Sequence, residues 1–279
     1  MSINTVNYDK LRVCSDYPKK ENVMQAVILA GGLGSRLTEE TRVRPKPMVE
    51  IGNMPILWHI MKTYAYYGVT DFIICLGYRG EMIKEFFINL PQHSSNLVVH
   101  SNGEVEYLSP PQNDWKVTLV ETGALTQTGG RLKKIEEFLT EDVFCMTYGD
   151  GVSNINIREL IEFHSKHSQS ATVTATHPTA RFGALNISGS NIVTSFAEKP
   201  LSEAGWINGG FFVLEKKVLD LVTSEDTIWE HEPMQSLVRT GQLAAFQHEG
   251  FWQPMDTLRE KQLLEELWAS GMAPWKVWD

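Results

Sequence analysis

Apolar residues fall in short unbroken runs that alternate with stretches of helical spacing. Residues 26–30 form such a run and stop at Gly31 and Gly32, as a buried strand breaking into a turn does. Residues 55–67 carry Ile56, Leu57, Ile60, Met61 and Tyr64 one helical turn apart, with proline opening the stretch and Gly68 closing it. A strand over 71–76 and a second amphipathic helix over 81–90 follow. This strand, helix, strand, helix order predicts a mostly parallel sheet covered on both faces. Asn102-Gly103, flanked by apolar runs at 97–101 and 104–108, predicts a hairpin that interrupts the rhythm.

The pattern then resumes, with strands at 115–121, 143–147 and 171–176 and helices at 131–138 and 157–167. Residues 181–213 read mainly as β, with a hairpin of 184–187 and 192–197 and a strand at 207–211. A late strand at 243–248 precedes a final helix over 258–268. The expectation is a single α/β domain over 24–279: a mixed, mostly parallel sheet, helices on both faces, and β-hairpin insertions. Residues 1–23 are polar and mixed in charge, and are expected to form an extension.

Composition narrows the partners. The 279 residues are 42% apolar, enough for a sizeable core, and the formal net charge of −9 argues against nucleic acid or an anionic membrane as partner. No run of 18 apolar residues occurs. Cys14, Cys75 and Cys145 show no metal spacing and read as reduced thiols of a cytoplasmic protein. His164 and His167 share a helical face without a third ligand in sequence, so they are expected to be solvated, as are the other histidines.

The candidate chemistry begins where the first strand ends. Gly31, Gly32 and Gly34 let successive backbone N–H groups converge on an anion, and Arg36 adds a planar fork of donors. Lys46 stands between Pro45 and Pro47, which stiffen the backbone on either side of its ammonium. A P-loop would need Gly-Lys-Ser/Thr after these glycines, and a dinucleotide fingerprint would need glycine where Leu37 stands, so neither applies. Asp150 lies between two glycines just past a strand, which leaves room for close approach of a ligand. Asp256 precedes the last helix and reads, on its own, as a helix cap. Nothing local brings Asp150 and Asp256 together; a shared cation would require it.

The segment LAGGLGSRL followed by RPKPMVEIG resembles the signature of the sugar-nucleotide pyrophosphorylase superfamily. FGALNI, FAEKP, INGGFFV, FWQPMDT and APWKVW look specifically like its glucose-1-phosphate cytidylyltransferase branch; Ser35 replaces the usual threonine. The resemblance runs from Met24 to Asp279 and implies a Rossmann-like nucleotidyltransferase domain. It implies that CTP and glucose 1-phosphate become CDP-glucose and pyrophosphate, for deoxysugar and lipopolysaccharide precursors. Leu29, Ala30, Gly31, Gly32, Leu33, Gly34, Ser35, Arg36, Lys46 and Gly149 would bind the nucleotide, with Thr126, Thr128 and Arg131 near the base. Gly183, Glu198, Lys199 and Asn208 would bind the sugar phosphate, Asp150 and Asp256 would hold Mg²⁺, and Lys46, Arg36 and Lys199 would be catalytic. The family's habit further implies a homo-oligomer, for which a hexamer is the candidate form. Two alternatives stay open here: a pyrophosphorylase using UTP or dTTP, and a non-catalytic subunit that binds sugar nucleotides.

Overall fold

The computed structural model describes residues 24–32, 34, 37–109, 113–178, 184–187, 193–197 and 205–279. The expected extension lies outside these residues. The strands in chain order are β1 Gln25–Leu29, β2 Glu50–Ile51, β3 Met54–Pro55, β4 Asp71–Leu76, β5 Leu97–Val99, β6 Val105–Tyr107, β7 Lys116–Glu121 and β8 Val143–Tyr148. They continue with β9 Gly151–Ser153, β10 Ala171–Thr176, β11 Ala184–Ile187, β12 Val193–Ala197, β13 Ile207–Glu215, β14 Leu243–Gln247 and β15 Trp252–Pro254. The helices are α1 Thr38–Thr41, α2 Ile56–Tyr66, α3 Gly80–Ser94, α4 Thr128–Lys134, α5 Ile157–Ser165, α6 Glu232–Arg239 and α7 Leu258–Ala269.

Among the described residues, seven strands form the main sheet, in the order β14-β10-β13-β8-β1-β4-β7. β13 runs antiparallel to both its neighbours, while the other described pairings in the sheet are parallel. Alternation along β1 builds two cores. Ala26 and Ile28 face a layer containing α2, α5 and α7, whereas Val27 and Leu29 face α4 and α6. Ile28 is fully buried, and its truncation to alanine would cost about 2–5 kcal/mol.

The chain leaves β1 toward β4 on one side, and β8 lies on the other. A crevice therefore opens between the carboxyl ends of β1 and β8, where open α/β sheets bind ligands.

Several expectations shift. The helix expected over 131–138 begins at Thr128 and ends at Lys134, before a separate 3₁₀ turn, Glu136–Phe138. Gly129 and Gly130, which suggested a loop, are instead packed against the backbone of Glu225 and Thr227, where added Cβ atoms would lie 2.3–2.7 Å from carbonyl oxygens. β9, β15 and α6 had not been anticipated.

His164 of α5 is buried, and His167 just beyond the helix is half-buried. His164 Nδ1 and His167 Nε2 lie 2.9 and 2.8 Å from the Thr172 hydroxyl on β10, a neighbour that helical periodicity does not reveal. His59 is likewise fully buried. Cys75 and Cys145 are buried, and burial pushes both thiols up to about 12. No described helix is long and apolar enough to cross a membrane.

Candidate active site

At the crevice a cleft of about 360 Å³ is lined by the end of β1, the glycine turn, Lys46, the start of α4 and the segment after β8. The backbone fixes its floor. Ala30 N–H donates to Cys75 O at 3.1 Å and Gly149 N–H to Leu29 O at 3.0 Å, tying the glycine turn to both neighbouring strands. Gly149 is pressed against Pro47, whose Cγ would be 3.1 Å from an added Cβ.

Arg131 holds the turn from beneath. Its guanidinium donates to Leu76 O at 2.9 Å, Thr122 Oγ1 at 2.6 Å and Gly31 O at 2.9 Å, and the residue is only 4% exposed. A Cβ on Gly31 would lie 2.0 Å from this guanidinium, so only glycine fits there. Of the three residues expected near the base, Arg131 is thus seen as a brace for the loop backbone. Thr126 and Thr128 also line the cleft. The Thr126 hydroxyl accepts from Lys134, and the Thr128 hydroxyl donates to Glu230 Oε2 at 2.7 Å.

Lys46 opens a short 3₁₀ turn, Lys46–Met48, directly after Pro45. It is 7% exposed, and its Nζ donates to Asp150 Oδ2 at 2.8 Å and to Asp256 Oδ1 at 2.6 Å. Burial alone would favour the neutral amine. The charge and hydrogen bond of Asp150, followed by those of Asp256, outweigh it and hold the ammonium above its ordinary pKa.

The carboxylates converge for a reason the sequence did not disclose. β9, directly after Asp150, pairs antiparallel with β15, directly before Met255-Asp256, with Gly151 opposite Pro254. Met255 N–H then donates to Asp150 O at 2.8 Å. A backbone ribbon therefore joins the two aspartates, so no cation is required for it. The helix-cap reading of Asp256 also gives way: Thr257 caps α7 in a reciprocal capping box with Glu260.

These residues fit a divalent cation. The carboxylates converge on the Lys46 ammonium, and their side chains are 39% and 24% exposed, which leaves a side open to solvent. Mg²⁺ suits such a set, since it takes one or two carboxylates plus phosphate and water oxygens.

The loop after Lys46 is clamped from the carboxyl-terminal side. β2 and β3 meet at Gly52 and Asn53, both with positive φ, and Gly52 N–H donates to Glu265 Oε2 at 3.0 Å. Trp268 covers Gly52 so closely that an added Cβ would lie 1.9 Å from its indole nitrogen. His59 Nε2 donates to Ile51 O at 2.8 Å, and His59 Nδ1 accepts from the Trp275 indole at 3.3 Å. Trp275 and Trp278 are buried, so the APWKVWD segment packs on its own chain.

Leu29, Ala30, Gly31, Gly32 and Gly34 line the cleft with Lys46, Thr126, Thr128, Arg131, Gly149, Asp150 and Asp256. Asn208 is exposed, near but not in that lining; its Oδ1 accepts from Gly210 N–H at 2.8 Å. Leu33, Ser35, Arg36, Gly183, Glu198 and Lys199 lie outside the described residues. Pro47, Gln127 and Tyr148 were not singled out yet also line the cleft. Tyr148 could have been found, because it directly precedes Gly149-Asp150. Glu230 carried no such signal, its hydrogen-bond partners Tyr148 and Thr128 being 82 and 102 positions away.

Residues 25–257 match the family model described as Nucleotidyl transferase. The chain is 54% identical over 258 residues to a glucose-1-phosphate cytidylyltransferase of Salmonella typhi, covering 92% of this chain and 100% of that protein. A probable glucose-1-phosphate cytidylyltransferase of Bacillus subtilis is 44% identical, with 91% and 100% covered. Among solved structures, HddC from Yersinia pseudotuberculosis shares the fold with a TM-score of 0.66 at 24% identity, over 88% of this chain and all of that one.

Proposed function

This chain belongs to the nucleotidyl transferase family, and on that footing we propose that it transfers the cytidylyl group of CTP to α-D-glucose 1-phosphate, giving CDP-glucose and pyrophosphate. The observation that carries this reading is the Lys46 ammonium between Asp150 and Asp256, at a cleft floored by the glycine turn. Full-length similarity to relatives bearing that enzyme name supports the choice of substrates.

The attacking atom is an oxygen of the sugar phosphate. Since the second pKa of a phosphate monoester is about 6, that oxygen is largely ionised at neutral pH and needs no general base. It adds to the α-phosphorus in line with the departing pyrophosphate. Two polyanions must approach, so positioning and charge neutralisation dominate.

The backbone of Gly31, Gly32 and Gly34 cradles the triphosphate, and Arg131 keeps Gly31 in place for it. Lys46 faces the charge that grows at the α-phosphate. Thr126, Thr128, Leu29, Ala30 and Gly149 surround the nucleoside. The roles of Leu33, Ser35 and Arg36 on the triphosphate, and of Gly183, Glu198 and Lys199 beside Asn208 on glucose 1-phosphate, rest on the sequence motifs. Asp150 and Asp256 would hold Mg²⁺, which when bound supplies positive charge to the phosphate oxygens.

The enzyme works in the cytoplasm and feeds deoxysugar and lipopolysaccharide synthesis. It assembles as a homo-oligomer through the β5–β6 ribbon, where Val99 is 65% and Leu108 beyond it 60% exposed. An isolated two-stranded ribbon is only marginally stable in water, so a covering surface would stabilise it. Pyrophosphate release with CTP, UTP, dTTP, ATP and GTP against glucose 1-phosphate tests the reading. Release with CTP well above the others supports it; preference for UTP or dTTP, or no release at all, overturns it.

A further inference from the structure

Behind the cleft a row of side chains joins the two substrate halves of the proposed reaction. Tyr148, the last residue of β8, lines the cleft and donates its hydroxyl to Glu230 Oε1. Glu230 Oε2 accepts from the Thr128 hydroxyl at 2.7 Å, and that hydroxyl accepts from Trp229 N–H at 2.9 Å. On the other side the Tyr148 ring packs against Gly210 of β13, whose N–H donates to Asn208 Oδ1 at 2.8 Å.

The row therefore runs from Asn208 and Gly210 through Tyr148 and Glu230 to Thr128. Its ends lie on β13, at the expected sugar side, and at the start of α4, on the nucleotide side. Each hydroxyl proton has a defined destination. Since the Thr128 oxygen already accepts from Trp229, its proton is directed to Glu230; the Tyr148 proton is directed to the other carboxylate oxygen. Tyr148 is fixed from above as well: Gly210, at φ +79, leaves room for the ring, and an added Cβ would lie 2.7 Å from it.

We propose that Glu230 is a positioning residue that sets Tyr148 and Thr128 together, and so fixes the sugar-phosphate and nucleotide subsites relative to one another. This rests on the reaction proposed above. Glu230 touches no substrate and acts through its two hydroxyl partners.

The test measures KM and kcat for CTP and for glucose 1-phosphate in four variants. Glu230→Gln keeps the shape but leaves one of the two hydroxyls without its acceptor, and should raise both KM values about three- to tenfold, the range for losing one hydrogen bond. Thr128→Val should raise KM for CTP alone, and Tyr148→Phe KM for glucose 1-phosphate alone. Glu230→Asp, which keeps both acceptors on a shorter arm, should recover part of the loss. Thermal unfolding of each variant identifies those that have lost the fold; if Glu230→Gln is among them, the Tyr148→Phe and Thr128→Val split decides. Unchanged KM values with kcat lowered only in proportion to the folded fraction would make Glu230 a fold-stabilising residue and overturn the inference. Absence of CDP-glucose formation by the wild type would instead overturn the proposed reaction.

Discussion

Lys46 and Asp256 are 210 positions apart in the chain, and Lys46 Nζ donates to Asp256 Oδ1 at 2.6 Å. The lysine reaches this place because two prolines and a 3₁₀ turn set its backbone, and it remains charged because Asp150 and Asp256 outweigh burial. Lys46→Met should lower kcat by about 10²–10³, as loss of a preorganised donor to growing charge does, with a smaller change in CTP affinity. Steady-state kinetics alongside equilibrium CTP binding checks this; unchanged kcat removes Lys46 from the chemistry.

Asp150→Asn and Asp256→Asn should each cripple turnover, and the double variant should be little worse than the worse single one, because the pair acts as a unit. Mn²⁺ binding followed by electron paramagnetic resonance gives a readout separate from activity. Each single variant should bind Mn²⁺ more weakly; full activity in EDTA, or unaltered Mn²⁺ binding in both variants, would count against the metal site.

Arg131→Lys should reduce kcat/KM for CTP and UTP by the same factor, since a single ammonium cannot span Gly31 O, Leu76 O and the Thr122 hydroxyl as the planar fork does. A narrowed gap between the two nucleotides would return Arg131 to the role of base reader.

His59 predicts an acid-sensitive fold. Burial depresses its pKa from 6.5 to about 4, and its hydrogen bonds with Ile51 and Trp275 use the neutral ring. As pH falls from 6.5 toward 4, the unfolded chain takes up a proton that the folded chain refuses, so stability drops by up to about 3 kcal/mol and levels off below pH 4. His59→Gln, which retains a donor and an acceptor without titrating, should flatten the dependence of the urea midpoint on pH over this window. Parallel curves for the two proteins would refute it.

Val99→Asp with Leu108→Asp should shift the sedimentation coefficient toward a smaller species while leaving the far-ultraviolet circular dichroism unchanged. An unaltered mass would exclude the ribbon as the assembly surface.

What could be read ahead of the structure followed from locality. The glycine turn and Lys46 announce themselves within one segment, because a buried strand, a turn needing φ above zero and a proline-flanked lysine each leave a short-range mark. The same holds for α2, α7 and the Asn102-Gly103 hairpin. The bracing contacts of Arg131 left no local mark because its partners lie at the ends of β1, β4 and β7, and His164 was misjudged because Thr172 lies on another element. Glu230 was overlooked for the same reason. Its chemistry is created by where Tyr148 and Thr128 end up, and no spacing encodes that.

The pairing of β9 with β15 also bears on synthesis. A nascent chain emerging from the ribosome presents the glycine turn, Lys46 and Asp150 long before residues 252–256 exist. Until that late strand is available to zip against Gly151–Ser153, Lys46 has only one of its two carboxylate partners. A truncated translation product could therefore fold much of the sheet without being able to consume CTP, and competence would arrive as one late step when β15 docks.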